Sequence, residues 1–344
     1  MSHKTKDKYF IVFFVILVAL IDGKAFSQPA QRVEAVGFTV SDMDKAVDFY
    51  TKVLSFKKIS DTEVSGMEYE KLENVFGLRM RIVRMQLGDE TIELTDYLTG
   101  GGKSIPEDAA SNDLTFQHIA IVVSDMDKAY RQLRRFSVEH VSTGPQTIPV
   151  SNKAAAGVKA FYFHDPDKHN LELIYFPAGK GNPKWQQANG KLFLGIDHTA
   201  IGISSTERSL KFYSDILGLE LKGESFNYGT EQEHLNNVEG ASLHISGLRA
   251  NDGPGVEFLE YLKPGPGSSY ATDTRSDDII NWQTTITVSH LDLLFNTLKE
   301  KGYEFVSKEI VTLENGSGAT ERALIINDPD GHQVLLKEAI KSQN

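Results

Sequence analysis

Five side chains in this 344-residue sequence stand where they could hold a metal ion or move a proton. Glu93, Glu172 and Glu257 each sit between two apolar residues, and His118 and His198 each head an alternating apolar run. Carboxylate oxygens and imidazole nitrogens are donors that hard and borderline divalent cations accept, and the same groups act as general acids and bases. No cysteine occurs, so thiolate ligation, disulfides and a cysteine nucleophile are excluded. On a strand, period 2 sends Ile92 and Leu94 to one face and Glu93 to the other, and Leu171 and Leu173 flank Glu172 in the same way. A carboxylate in such surroundings is costly to bury without a partner.

The elements that must position these groups come from a repeat. Val40-Ser-Asp-Met-Asp-Lys-Ala46 returns almost unchanged as Val123-Ser-Asp-Met-Asp-Lys-Ala129, and diverged copies start at Ile203 and Val288. Each copy follows a period-2 strand (Val33–Val40, His118–Val123, His198–Ile203, Gln283–Val288) and opens a helix. Asp42, Asp125 and Ser204-Ser205-Thr206 supply capping oxygens, and Gly218 and Gly302 stop the third and fourth helices. Three further strand candidates complete each copy, giving βαβββ four times. Copies one and three share one pattern and copies two and four share an Asp-Pro-Asp-x-His turn, so the chain reads as a duplicated pair. Alignment on the helix starts places Ala35, His118, His198 and Gln283 at one first-strand position. The matching last-strand position holds Glu93, Glu172, Glu257 and Leu335.

The division expected is 28–178 and 192–344, two modules each, joined by a Gly/Pro-rich linker at 179–191. Residues 1–27 stand apart. Lys4, Lys6 and Lys8 precede a short apolar run, and Ala25 and Ser27 fit a cleavage site before Gln28. The expectation is an exported, periplasmic or secreted protein, touching a membrane only if that segment stays uncleaved. The net charge of -11 and the absence of clustered Lys and Arg argue against a nucleic-acid partner.

The βαβββ units, the helix Ser-Leu-Lys-Phe-Tyr-Ser-Asp-Ile-Leu-Gly218 and the Asp-Pro-Asp-x-His turn resemble the vicinal oxygen chelate superfamily over residues 33–339. That superfamily holds glyoxalase I, extradiol dioxygenases, methylmalonyl-CoA epimerase and bleomycin-resistance proteins. The resemblance implies an α+β fold of four βαβββ modules paired into two glyoxalase-like cupped barrels, with ligands drawn from the first and last strand of each module. If neighbours pair, one cup offers Glu93, His118 and Glu172 with Ala35 vacant. The other offers His198, Glu257 and Gln283 with Leu335 vacant. Each set suits a divalent ion such as Zn, Ni, Mn or Fe. Tyr228, Glu231, His234 and Asn237 fall where the family pattern would line a substrate pocket.

The resulting expectation is a metal-dependent lyase or isomerase acting on a small molecule with adjacent oxygens, with Glu172 or Glu93 moving the proton. An extradiol-type dioxygenase would need two histidines in one cup, which neighbour pairing denies but a different pairing of the modules, uniting His118 and His198, would supply. A non-catalytic binding protein of the bleomycin-resistance type is favoured by the losses at Ala35 and Leu335. Four modules can complete both cups within one chain, so a monomer or homodimer is expected.

Overall fold

The computed structural model describes residues 28–100, 102–314 and 320–340. The proposed export segment lies outside them. Module 1 runs β1 (Ala30–Thr39), α1 (Met43–Lys52), β2 (Lys57–Ser65), α2 (Met67–Glu73), β3 (Arg79–Leu87) and β4 (Glu90–Tyr97). Module 2 runs β5 (Gln117–Val123), α3 (Met126–Arg135), β6 (Gln146–Thr147), β7 (Lys159–His164) and β8 (Asn170–Tyr175). Module 3 holds β9 (Phe193–Ile203), α4 (Thr206–Leu210) widening into a π-helical turn at Lys211–Ile216, β10 (Glu220–Tyr228), α5 (Thr230–Asn236), β11 (Ser242–Arg249) and β12 (Gly255–Lys263). Module 4 holds β13 (Trp282–Val288), α6 (Leu291–Glu300), β14 (Val311–Glu314), β15 (Thr320–Asn327) and β16 (Gln333–Ala339). Among the described residues no helix is long and apolar enough to cross a membrane.

The helix starts are capped as the sequence suggests. Asp42 accepts from Lys45 N, Asp125 from Lys128 N and Ser205 from Arg208 N. Gly218 closes the third helix at φ 86°, a conformation that suits glycine, and packs against Pro29. Asp96 and Glu260, three residues beyond Glu93 and Glu257, are not simply solvated. They accept from Met43 N and Thr206 N at the next helix starts.

The strands form two eight-stranded mixed sheets, and their order corrects the neighbour pairing expected from sequence. One sheet runs β14-β15-β16-β13-β1-β4-β3-β2 and joins modules 1 and 4. The other runs β10-β11-β12-β9-β5-β8-β7-β6 and joins modules 2 and 3. The seams are antiparallel, β1 to β13 and β5 to β9. Sequence neighbours share something else. Modules 1 and 2 bury their helices in one apolar core that includes Phe38, Tyr50, Ile121 and Phe161, and modules 3 and 4 share a second with Phe212, Phe258, Ile286 and Leu336. Polar braces reinforce these cores. Tyr50 donates to Asp165 at 3.1 Å and Tyr213 to Asp328 at 3.2 Å. His169 Nε2 donates to Ile279 O and His332 Nε2 to Gly202 O, both at 2.8 Å. The two turn histidines therefore reach well beyond their own turns.

Candidate metal centre

The register shows why the sheet pairing decides the site. In β5 and β9, Ala120 lies opposite His198 and His118 opposite Ala200. Ala120 also pairs with Glu172 on β8, and Ala200 with Glu257 on β12. His118 and Glu172 from module 2 thus face His198 and Glu257 from module 3 across one seam, a four-residue set with local two-fold symmetry. In the other sheet Gly37 pairs with Gln283 and Glu93, and Thr285 with Ala35 and Leu335. All eight positions aligned from sequence are structurally equivalent. Their grouping differs: both vacancies, Ala35 and Leu335, fall in one cup, and the other keeps every candidate ligand.

The ligand atoms of His118, Glu172 and His198 all lie within 4.8 Å of one another. Glu172 Oε2 is 3.1 Å from His118 Nε2 and 3.6 Å from His198 Nε2, and Glu257 Oε1 is 3.5 Å from His198 Nε2. Metal–ligand bonds of about 2.0–2.2 Å imply ligand-to-ligand spacings of about 3–4 Å, so the set has the right size. His118 Nδ1 and Nε2 and His198 Nε2 are buried and make no well-aligned hydrogen bond among the described residues, although Glu172 stands beside both Nε2 atoms as a charge partner. Buried polar atoms seldom go unpaired, and a divalent cation would satisfy the two Nε2 lone pairs. The residues fit such an ion on these grounds.

Electrostatics prepare the set. Asp197 Oδ2 meets His198 Nδ1 at 3.1 Å, fixing the ring so that Nε2 faces the cup. Asp197 is itself held by Trp185 Nε1 at 2.7 Å and Arg249 Nη2 at 2.8 Å. Burial opposes ionisation of Asp197, but His198 and Arg249 outweigh it and hold the carboxyl well below the usual range. Burial would likewise lower His198, yet the Glu257 charge and Asp197 raise it well above the ordinary imidazole value. Burial would raise Glu172, and the two imidazoles pressed against it bring it down. Glu257 is pushed up, by burial first and then by the Glu172 charge, with His198 partly compensating.

These groups border a cavity of about 200 Å³ between modules 2 and 3. Ile148, Val158, Ile174, Leu235 and Ile245 make its apolar walls, and Ser225, Asn227 and Gln232 its polar ones. A vestibule of about 430 Å³ lies outside and shares Asn227 and Gln232 with it. A larger groove of about 980 Å³ lies between the π-helical turn and α6, but carries no cluster of ligand side chains.

The pocket residues expected from sequence divide. Tyr228 and Glu231 line the vestibule. His234 is exposed, and Asn237 is the left-handed C-cap of α5 at φ 55°, as Asn74 is for α2 at φ 52°. Asp197, Trp185 and Gln232 were missed. An acid directly before a strand histidine was a usable signal for Asp197. Trp185 lies in the segment read as linker, and Gln232 lies on the inward face of α5.

Glu93 and Gln283 belong to the other cup, which has no histidine. Gln283 donates to Glu73 at 2.7 Å, and burial pushes Glu73 up to about 7. Glu93 lies 3.6 Å from Arg84, which also pairs with Glu34 at 2.7 Å, and Lys337 pairs with Glu321 at 3.0 Å. Lys337 is raised despite its burial by the charges of Glu93, Glu321 and Glu34. Glu34, Glu93 and Glu321 are thus answered by the chain's own Arg84 and Lys337, and Glu73 by neutral hydrogen-bond donors.

The comparisons agree with this architecture. The family model of the Glyoxalase/Bleomycin resistance protein/Dioxygenase superfamily matches residues 32–173 and 195–336. The chain belongs to that superfamily, whose members are mostly metal-dependent enzymes acting on small molecules. It is 33% identical over 170 residues to a 2-epi-5-epi-valiolone epimerase from an Actinomyces species, covering 48% of this chain and 88% of that protein. Glyoxalase I from Zea mays superposes with a TM-score of 0.59 at 17% identity, covering 89% of this chain and 92% of that one. A putative dioxygenase from Bacillus subtilis gives 0.56 at 11% identity, covering 92% and 87%. These two likenesses concern the fold.

Proposed function

We propose that this protein is a divalent-metal-dependent isomerase that moves a proton at a carbon next to a carbonyl, with an adjacent oxygen on the substrate. The observation that carries the reading is the close group of His118, Glu172 and His198, with Glu257 beside His198 and three imidazole nitrogens buried without an aligned hydrogen bond among the described residues. A divalent ion bound there would act as a Lewis acid on the two neighbouring oxygens and lower the acidity barrier of the carbon between or beside them. Glu172 and Glu257 stand on opposite sides of the seam, related by the local two-fold. One carboxylate can take a proton from one face of a planar carbon and the other can return it to the opposite face. That is the geometry of an epimerisation, and the relative named an epimerase supports it. Glu172 keeps the proton-carrying role expected from sequence, and Glu257 takes the one expected of Glu93.

A second reading is favoured by one observation. Two histidines and a carboxylate now share a cup, the set that non-haem iron oxygenases use, so the objection to a dioxygenase raised by neighbour pairing falls away. That chemistry leaves the second carboxylate, Glu257, without a role, whereas the isomerase reading uses it to carry a proton, which places the dioxygenase second.

The test is metal analysis followed by turnover. Wild type is expected to bind one Zn, Ni, Mn or Fe ion per chain, and His118→Ala and Glu172→Ala to lose it, while Glu93→Ala keeps it. The loaded protein should then exchange the C–H next to the carbonyl of a hydroxyketone with solvent deuterium. Glu257→Gln should slow that exchange by about a hundredfold or more. Wild type that binds no divalent ion would overturn the reading. Oxygen uptake with catechols, without deuterium exchange, would replace it with the second.

A further inference from the structure

We propose that Lys180 receives an oxyanion on the substrate, so that the ketone handled at the metal centre carries a phosphate or carboxylate beyond its pair of adjacent oxygens. This deepens the metal-centre reading above and rests on it. Lys180 falls in the segment that the sequence marks as linker, yet it lines the same cavity as Glu172, His198 and Glu257. Its Nζ donates to Lys153 O at 2.8 Å and to Ala154 O at 2.9 Å. Ala154 borders both the cavity and the vestibule, and Lys153 borders the vestibule. The two bonds therefore hold the ammonium where the two spaces meet, on the path of a ligand approaching from the vestibule.

An ammonium has three N–H donors and no acceptor, so what it offers a ligand is fixed by its chemistry. Two of the donors go to neutral carbonyls, which satisfy hydrogen bonds and leave the charge without a counterion. The cavity's three acids are engaged elsewhere. Glu172 lies between His118 and His198, Glu257 beside His198, and Asp197 against His198 and Arg249. Lys184, four residues along the same segment, shows the contrast, because it is closed onto the buried Glu90. Among the described residues Lys180 is the one lysine or arginine that lines this cavity, and no carboxylate pairs with it. A half-buried cation pinned by two bonds and lacking a countercharge suits an anion, and a charge-assisted hydrogen bond exceeds a neutral one. The ammonium also offsets the repulsion that the carboxylates of the cup exert on an anionic ligand.

The experiment uses the full chain loaded with cobalt, whose visible spectrum reports both occupancy and ligand binding. The probes are dihydroxyacetone, a neutral hydroxyketone, its phosphate, and 5-hydroxy-4-oxopentanoate, which carries a carboxylate on a hydroxyketone core. Wild type is expected to bind at least one of the two anions about tenfold or more tightly than dihydroxyacetone. The margin should narrow as salt rises, and the tighter anion identifies the oxyanion. Lys180→Met should keep its cobalt and its affinity for dihydroxyacetone and lose the margin. Lys180→Arg, which retains the charge, should keep it. A margin that survives in Lys180→Met would place the anion on the cobalt instead, and an equal loss of all three probes would make Lys180 a mere latch for the loop at Lys153 and Ala154. Either result, no margin in wild type, or its loss in both variants would overturn the assignment while leaving the metal centre standing. Wild type that takes up no cobalt would instead overturn the metal centre, and this inference with it.

Discussion

Asp197 shows how much of the centre depends on a side chain that is not itself a candidate ligand. It anchors His198 through Nδ1 and is gripped by Trp185 and Arg249. Asp197→Asn keeps the shape and weakens the grip. It should lower metal affinity by about 10–100-fold, measured by competition with a chelator, with the fold intact by circular dichroism. His169 makes a different prediction. Burial would depress it, but Asp165 raises it above the ordinary imidazole value. A group raised on folding contributes stability that is fully present below its unfolded pKa and lost as pH climbs through the folded one. Urea midpoints followed upward from pH 6 should therefore fall, and His169→Gln should flatten that fall. His169 also marks a limit of legibility. The turn was plain in the sequence, yet its partner Ile279 O lies 110 residues away, and nothing local announces it.

The elements were more legible than their assembly. Period-2 patterns and helical spacing located the first strand and the helix after it in each module, and counting from the helix starts aligned Ala35, His118, His198 and Gln283. The short α2 and α5 were not read, and α6 starts at His290 with no side-chain cap. What could not be read was which seam each module uses. β1, β5, β9 and β13 are all apolar on the face toward the helices, and consecutive modules are the usual first choice of partner. The helices follow that choice and the sheets do not, because each module has two sides to satisfy. The two cups can be compared directly across their strands. Arg84 lies opposite Glu93 in one, and Gly247 lies opposite Glu257 in the other, with nothing but a backbone oxygen 3.9 Å away where a Cβ would stand. Gly247→Arg should place a guanidinium beside Glu257 and compete with the divalent ion. Calorimetric titration should show metal affinity lowered at least about tenfold, since a charge pair shielded from water is strong. Unchanged affinity would mean that Arg84 has no such role in its own cup.

At the scale of the whole molecule, residues 1–27 bear on where the protein works. If they direct export, protein recovered outside the cytoplasm should begin at Gln28 by mass spectrometry, and a chain of full mass retained in the cytosol would argue otherwise. The pairing of modules has a wider effect. Module 1 shares a core with 2 and a sheet with 4, and module 3 shares a core with 4 and a sheet with 2. The four modules form a closed ring of contacts in which no single module can be lifted out without opening both a core and a sheet. Calorimetry should accordingly show one cooperative transition rather than two. A divalent ion at 100 times its Kd should raise the stability of the entire ring by about 2.7 kcal/mol. Two peaks, with metal moving only one, would contradict this. A cation seated between modules 2 and 3 would thus also help hold together the distant cup, whose cations are its own Arg84 and Lys337.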